Sequence, residues 1–260
     1  MIETHSIFKS RHFVSMPCDD GLLSDLSQDQ HSTKVYAWGY RDADLTLGEE
    51  GTHFGFVVNG PAAITVLLSG RKHTFSLDTG MYFSVPSQFS IHGGYGFITS
   101  RLGYKGTFMI GGPIERQGRL LYIDGCSDSL LTPPVIKGAP CLNYLHFPPH
   151  ISQTRHIHPS MRVGVVARGR GRCIVPSNED GTGSDVTIPL TPGNIFIIPT
   201  DGRHSFFTDD NEMDVIAYHP DSDTGPTHDD HPMINRTIVD GVSAADIDEI
   251  RTTTPAVVLR

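Results

Sequence analysis

The chain has few of the features that mark membrane proteins and nucleic-acid-binding proteins. No run approaches the ~18 consecutive apolar residues that a membrane-spanning helix needs, so we expect no membrane partner. Basic residues are in the minority, with 20 Lys and Arg against 29 Asp and Glu, and the net charge of −9 argues against a nucleic-acid partner. The one basic cluster, residues 167–172, lies between two strand-like runs and predicts a hairpin turn.

Cysteine is also scarce. The 260 residues include four cysteines, and no two of them have the C-x-x-C spacing of many zinc and redox sites. The first fifteen residues carry Glu3, Lys9 and Arg11 and have no apolar run of the length found in secretory signal peptides. We therefore expect reduced thiols and a cytoplasmic protein.

Long amphipathic helical patterns are nearly absent, whereas turn-forming residues are plentiful, with 27 glycines and 18 prolines. Short strand-like runs follow one another from residue 34 to residue 219, and turns such as Asn59-Gly60-Pro61 separate them. This spacing is typical of a sandwich or barrel of short strands. The sequence therefore predicts an all-β fold.

Two parts of the chain share one pattern. Gly80 and Pro86 enclose five residues of an apolar strand, and Gly193 and Pro199 enclose five more in the second half. Such a repeat indicates two similar domains in tandem. The predicted boundaries are 1–34 for an irregular N-terminal lead-in, 35–112 for the first domain, 113–140 for a linker, 141–220 for the second domain, and 221–260 for a polar loop, a short helix over 243–251 and a tail that ends in an added strand.

The second domain contains a candidate metal site. His156 and His158 occupy alternate positions of a strand-like segment, so their side chains would share one face, with Cα atoms roughly 6.6 Å apart. His204 follows a turn that contains Pro199 and Gly202, and it can supply a third nitrogen. A hydrogen-bonded core histidine is the alternative interpretation. Because the pair and the turn occur together, we predict that the three histidines bind one metal ion.

These residues resemble the two motifs of the cupin superfamily, whose small jelly-roll barrels carry G-x5-H-x-H-x3-4-E-x6-G and then G-x5-P-x-G-x2-H-x3-N. The matching positions are His156, His158 and Gly169 in the first motif and Gly193, Pro199 and His204 in the second. The resemblance covers most of residues 142–219 and, more weakly, residues 52–110. It implies two jelly-roll β-barrels in tandem, called a bicupin, and a homodimer, since cupin barrels often pair through exposed edge strands.

The chain also departs from these motifs, most informatively at Arg162, which stands where the motif has a glutamate ligand. Smaller departures are His150 for the opening glycine, Gly202 one place late, and Thr208 for the final asparagine. In the first domain only His53 lies near the H-x-H position, with Gly55 in place of its partner, and His92 falls one residue beyond the expected spacing. We therefore predict that the first domain binds no metal.

An arginine in place of a carboxylate ligand changes the charge of the pocket. Arg162 has the strand parity of His158, so its side chain would face the barrel interior. Three neutral imidazoles around a divalent ion, with a guanidinium nearby, favour an anion, and Arg162 can bind a substrate carboxylate through two hydrogen bonds. The alternative is an ion pair between Arg162 and a nearby acid, Asp201 or Asp214.

Two further residues are candidates for catalysis. His146 lies on the strand before the motif, where it can serve as a base or as a hydrogen-bond partner of a metal ligand. Tyr144 shares its face and can donate a hydrogen bond. A packed, hydrogen-bonded histidine is the alternative for His146.

The resemblance implies a metal-dependent enzyme that acts on a small, carboxylate-bearing anion. Three neutral nitrogens suit Fe(II), Zn(II), Ni(II), Mn(II) or Cu(II), and ligand type alone does not select among them. The similarity to three-histidine cupin oxygenases, such as thiol dioxygenases and diketone-cleaving enzymes, favours Fe(II) and a dioxygenase reaction. Isomerase, lyase or hydrolase chemistry at another metal is an alternative. A non-catalytic, small-molecule-binding bicupin is a further one.

Overall fold

The computed structural model describes residues 7–39 and 43–252, and it consists almost entirely of β-strands and turns. The first strands are β1 (Phe8–Lys9) and β2 (Val14–Met16). The first half continues with β3 (Gly21–Leu26), β4 (Thr33–Trp38), β5 (Leu45–Leu47), β6 (Gly51–Asn59), β7 (Ala62–Leu68), β8 (Arg71–Leu77), β9 (Tyr82–Val85), β10 (Phe89–His92), β11 (Tyr95–Leu102) and β12 (Met109–Gly111). The second half contains β13 (Leu120–Leu121), β14 (Ser127–Thr132), β15 (Cys141–Phe147), β16 (Arg162–Gly169), β17 (Gly171–Pro176), β18 (Asp185–Leu190), β19 (Ile195–Ile198), β20 (Ser205–Phe207) and β21 (Met213–His219).

Each half folds into two antiparallel sheets. The first half has the strand orders β12-β9-β6-β11-β4-β3 and β5-β10-β7-β8, and the second has β1-β2-β19-β16-β21-β15-β14-β13 and β18-β17-β20. Six strands of the large sheets correspond in order, with β2 in the place of β12. Buried side chains of both sheets fill the space between them, including Val57 and Ile64 in the first half and Phe196 and Phe206 in the second. The predicted all-β fold of two tandem jelly rolls is confirmed.

The N-terminal segment and the predicted linker are more ordered than the sequence indicated. Within 1–34, β2 pairs with β19 of the second half, and β3 pairs with β4 of the first, so this segment joins both halves. Within 113–140, β14 pairs with both β13 and β15. The sequence pattern did not reveal these strands because they are only partly buried, and polar residues such as Ser127 and Asp128 interrupt the apolar alternation.

The two halves pack together through a shared apolar core. Phe54 and Phe56 of β6 meet Val163 of β16 and Tyr218 of β21 in this core, and all four side chains are buried. The rings of Phe54 and Tyr218 lie 5.5 Å apart, a normal separation for an aromatic contact. Because side chains alternate along a strand, the intervening residues of β16 and β21 face the interior of the second half.

The basic residues 167–172 connect two sheets and do not form the predicted hairpin. Strand β16 belongs to the eight-stranded sheet, whereas β17 belongs to the three-stranded one. Arg168 lies 2.5 Å from a carboxylate oxygen of Asp214, and Arg172 lies 2.5 Å from one of Asp209. Two of the three arginine charges are therefore paired within the chain.

The C-terminal segment contains little helix. Beyond β21 it has one α-helical turn, α1 (Pro232–Asn235), and a small hairpin of β22 (Ile238–Val239) and β23 (Val242–Ser243). The helix predicted over 243–251 is corrected to two 3-10 turns, Ala244–Asp246 and Asp248–Ile250, because the backbone is extended at Ile247 between them. Ser243 does cap the first turn, since its Oγ accepts a hydrogen bond from the amide of Ala245. The added strand predicted for the tail lies outside the described residues. No helix in the described ranges has the length and apolar character needed to cross a membrane.

Candidate metal centre

Three imidazole rings converge in the second half. The ring centroids of His156, His158 and His204 lie 4.4 to 5.2 Å apart. One ligand nitrogen from each lies within 4.8 Å of the others. Because a zinc-like ion binds an imidazole nitrogen at about 2.0–2.1 Å, small ring rotations would allow all three nitrogens to bind one ion. The fold therefore brings the three predicted ligands together.

Backbone hydrogen bonds hold the histidine-bearing segments side by side. The amide of His156 donates to the carbonyl of His204 over 3.0 Å, and the amide of His204 donates back over 3.1 Å. The amide of Asp201 donates to the carbonyl of His158 over 2.9 Å. The segment that carries His156 and His158 does not form the predicted continuous strand, since His156 pairs with His204 only through an isolated bridge.

Two of the rings are oriented by backbone carbonyls. His156 Nδ1 lies 2.8 Å from the carbonyl oxygen of Thr154, and His204 Nδ1 lies 2.9 Å from that of Gly202. Donation from Nδ1 leaves the Nε2 lone pair free, which is the arrangement found in metal-bound histidines. Nε2 of His204 is buried and has no hydrogen-bond partner within the described residues. A nitrogen of this kind fits a metal ligand, because buried polar atoms otherwise have partners.

Burial keeps two of the imidazoles neutral. It lowers the pKa of His158 to about 3, with smaller contributions from the positive charge of Arg162 and the other two imidazoles. It also lowers the pKa of His204 to about 3, although the hydrogen bond to Gly202 opposes the shift. Both rings are therefore unprotonated near pH 7, as a metal ligand must be.

A cavity of about 60 Å³ lies beside the three imidazoles. Alternate residues of two neighbouring strands form much of its wall, namely Asn143, Leu145 and Phe147 of β15 and Val215, Ala217 and His219 of β21. A second cavity of about 300 Å³, here called the outer pocket, shares Asp128, Asn143, Arg162 and His219 with it and extends to Asp221 and Asp223. The inner cavity has room for a few water molecules or for a handful of substrate atoms.

Arg162 is the first residue of β16 and lines the inner cavity, although no regular strand joins it to His158. Its Nη1 donates to the carbonyl oxygens of Ser160 and Met161 over 3.1 and 2.9 Å, and to Ser160 Oγ over 2.5 Å. Its Nε is buried and has no partner in the described part of the chain. The acid nearest to the guanidinium is Asp221, 3.9 Å from Nη1. It is not one of the two acids that the sequence suggested.

Tyr144 and His146 lie on the face of β15 that points away from the cavity, so their predicted place in the site is corrected. Tyr144 Oη donates to Asp214 over 2.9 Å, and His146 Nδ1 lies 2.8 Å from the same oxygen. Arg168 Nε donates to the other oxygen. Asp214 is fully buried, and these partners compensate its charge. The two residues therefore belong to a buried ionic network between strands.

Five polar residues on the cavity wall were not singled out from the sequence. They are Tyr122, Asp128, Asn143, Gln153 and His219. Strand parity could have identified Asn143 and His219, because each lies two residues from an apolar residue that lines the cavity, Leu145 and Ala217 respectively. Asp128 carried no signal, since it lies in the segment interpreted as a linker.

The first half shows how the corresponding place is filled when ligands are missing. In β6, His53 pairs with Val85 and Gly55 with Phe83. In β16, the equivalent pairs are Arg162 with Ile198 and Gly164 with Phe196. His53 therefore corresponds to Arg162, and its predicted equivalence to the H-x-H pair is wrong.

The positions that correspond to His156 and His204 are apolar. Leu47, six residues before His53, pairs with Phe89, as His156, six residues before Arg162, pairs with His204. His53 itself lies with Nδ1 2.6 Å from Ser100 Oγ and Nε2 2.8 Å from the carbonyl oxygen of Gly48. Both its nitrogens are thus used by the protein.

Comparisons with known proteins address the fold. The sequence matches no protein-family model and no curated protein. Similar solved structures include the Bacillus subtilis oxalate decarboxylase with Mn(II) centres, at a TM-score of 0.52 and 11% identity over 82% of this chain and 73% of that one. They also include the 11S globulin from Wrightia tinctoria (0.53, 8% identity, 85% and 82% covered) and vicilin from Corylus avellana, hazelnut (0.50, 10% identity, 82% and 84% covered).

At these identities the likeness concerns the fold and not the activity. All three neighbours are cupin-fold proteins, and each alignment extends over both halves of this chain. The chain therefore has the fold of the cupin superfamily, in the tandem form known as a bicupin.

Proposed function

We propose that the chain is a metal-dependent enzyme that acts on a small carboxylate bound beside the three histidines. One observation carries this proposal: the buried Nε2 of His204, which has no partner in the described residues, lies among the ligand atoms of His156 and His158. Leaving such a nitrogen unpaired costs roughly 1–3 kcal/mol. A metal ion would supply the missing interaction.

The donor set fits a divalent ion with open coordination positions. The resemblance to three-histidine oxygenases favours Fe(II), whereas the oxalate decarboxylase among the fold neighbours has Mn(II) centres. Zn(II), Ni(II) and Cu(II) suit the same nitrogens. When bound, such an ion supplies positive charge that holds and polarises a substrate oxygen.

Arg162 is the group that we expect to bind the substrate carboxylate. Its Nη1 is already held by Ser160 and Met161, which fixes the guanidinium, while Nε remains without a partner in the described residues. A guanidinium edge with free N–H groups matches the two oxygens of a carboxylate. The apolar rings of Phe147, Phe196 and Phe206 on the cavity wall strengthen this attraction by excluding water.

Oxygenase chemistry at Fe(II) is the first candidate reaction, and it is tested by metal analysis followed by an oxygen-uptake assay. Protein purified without chelators is analysed for bound metals, then loaded with Fe(II) and mixed with a panel of small carboxylates. Stoichiometric metal and carboxylate-dependent oxygen consumption support the proposal. Absence of stoichiometric metal, together with a His156→Ala variant that folds and binds small molecules as the wild type does, would favour a non-catalytic bicupin.

A lyase reaction is the second candidate, and Asp128 favours it. A carboxyl group on the cavity wall can supply the proton that a carbon atom needs when it loses carbon dioxide. The name of the neighbouring oxalate decarboxylase describes a reaction of this class in that protein. Carbon dioxide released from oxalate by the Mn(II)-loaded protein, without net oxygen consumption, would select this candidate over the oxygenase.

A further inference from the structure

Asp128 is a carboxyl group on the wall of both cavities. It lies on β14 opposite Leu145, which in turn lies opposite Val215 of β21. Directly opposed residues face the same side of a sheet, and all three line the cavity beside the imidazoles. Asp128 also lines the outer pocket. Within the described residues its carboxylate accepts no hydrogen bond and forms no ion pair.

Several titratable groups share the two cavities with Asp128. They are Tyr122, which precedes β14, Arg162, His156, His158, His204 and His219 around the inner cavity, and Cys141, Asp221 and Asp223 in the outer pocket. Burial raises the pKa of Asp128 above its ordinary value. Burial also lowers the pKa of His219 well below its ordinary value and raises that of Tyr122 above its own. Asp128 is therefore the acid on this wall whose pKa moves towards neutrality, as an acid–base group requires.

We propose that Asp128 is the proton-transfer residue of this site, the carboxyl group that gives a proton to, or takes one from, the substrate held by Arg162. The inference rests on the proposed function. In the direction of donation, the O–H bond of Asp128 breaks and a new bond to hydrogen forms on the substrate atom that gains an electron pair. In a decarboxylation, that atom is the carbon that loses carbon dioxide.

The outer pocket gives Asp128 a route by which it can be protonated again. The carboxylate left on Asp128 regains a proton from water in the outer pocket, which Asp128 reaches without passing the histidines. Nothing is oxidised or reduced at Asp128, and each proton given to the substrate is replaced by one from water. The position of Asp128 on the wall shared by both cavities is what allows both transfers.

The test uses Asp128→Asn, which keeps the shape of the side chain but cannot exchange a proton. Asp223→Asn is the matched control, because Asp223 lines the outer pocket but not the inner cavity. The metal-loaded wild type and both variants are titrated with oxalate and formate in a calorimeter at about pH 5.5, above the ordinary pKa of an aspartate. Two buffers with different ionisation enthalpies reveal how many protons are taken up on binding. Turnover is measured for any probe that reacts.

An anion that binds beside Asp128 raises its pKa further, so the wild type and Asp223→Asn take up a fraction of a proton, and Asp128→Asn takes up none. The variant keeps its metal content, and its turnover falls about 100- to 10,000-fold. Proton uptake equal to that of the wild type, or turnover within about twofold of it, overturns the role of Asp128 and leaves the proposed function intact. A wild type that holds no metal and binds neither probe overturns both.

Discussion

His156 and His204 face each other across an isolated antiparallel pair, joined by two backbone hydrogen bonds of 3.0 and 3.1 Å, with their rings 4.4 Å apart. The main chain, and not side-chain packing, sets the distance between these two candidate ligands. The equivalent pair in the first half, Leu47 and Phe89, has the same backbone relationship. The fold thus supplies the geometry in both halves, and residue identity decides whether a metal site results.

We predict that His156→Ala abolishes stoichiometric metal binding while the fold persists. His156 is partly exposed, so its truncation leaves no large cavity, but it removes one of three ligands. Metal content by elemental analysis and thermal unfolding of the same sample measure the two effects. His150→Ala is the control, since His150 is exposed and lies outside the cluster. Full metal content in His156→Ala would contradict the assigned ligand set.

The sequence predicted the repeat and the three candidate ligands because each is marked by a motif that is short in sequence. Glycine and proline at equal intervals marked equivalent strands, and H-x-H with a later histidine marked the site. The cavity wall was less accessible, because it combines β14, β15 and β21, which are brought together by long-range pairing. Tyr144 and His146 were assigned to the site because their side chains suit catalysis. The sequence did not show which face of β15 would point into the cavity, and these two residues lie on the other face.

The partner of Arg162 also depended on long-range folding. Asp221 follows the last strand of the second half and approaches the guanidinium only through the loop that leaves β21. Asp214 was the nearer candidate in sequence, but its position on β21 places it on the opposite face of the sheet with Arg168. Neither of the two acids suggested by the sequence is therefore the one beside Arg162.

Arg162→Leu should weaken the binding of small carboxylates about 10- to 100-fold and leave metal content unchanged. The estimate corresponds to the loss of a charge-assisted hydrogen-bonded contact, worth about 1.5–3 kcal/mol. Titration calorimetry with oxalate on metal-loaded protein measures it. The control is Arg155→Leu, because Arg155 forms a surface ion pair with Asp185 away from the cavity. Equal affinity in Arg162→Leu and the wild type would remove the proposed role of this residue.

His53 should make the stability of the protein depend on pH below about 6.5. Burial lowers its pKa from the ordinary value of 6.5, so between the folded and unfolded pKa values only the unfolded chain carries the proton. The free energy of unfolding therefore falls as the pH is lowered through this window and is insensitive to His53 above it. One such group contributes a slope of at most about 1.4 kcal/mol per pH unit.

The measurement is denaturant unfolding of His53→Gln and wild type between about pH 7 and pH 5. The variant should lose stability at all pH values, since Ser100 and Gly48 lose their imidazole partner, but its pH slope should be smaller than that of the wild type. His92→Gln, at an exposed position, should keep the wild-type slope. Parallel pH profiles for all three proteins would show that His53 titrates alike in the folded and unfolded states.

Gly164→Ala should destabilise the second half by about 1–3 kcal/mol, because it forces an aromatic ring of the cavity wall to move. A methyl group at Gly164 would lie 2.3 Å from Cζ of Phe196. That ring stacks on Phe13 at 5.3 Å and contacts Phe206 at 5.6 Å, so it has little room to yield. Phe206 is in turn 5.5 Å from the His204 ring, which connects the strain to the metal ligands.

Gly48→Ala is the control for this substitution. Nothing lies within 4 Å of its added methyl group, so its free energy of unfolding should stay within about 0.5 kcal/mol of the wild type. Gly55→Ala tests the same geometry in the first half, where the methyl group would lie 2.1 Å from Phe83. If the two barrels use one packing arrangement, Gly55→Ala and Gly164→Ala should lose comparable stability. Only Gly164→Ala should also weaken metal binding, because the cluster of three candidate ligands, His156, His158 and His204, lies in the second half.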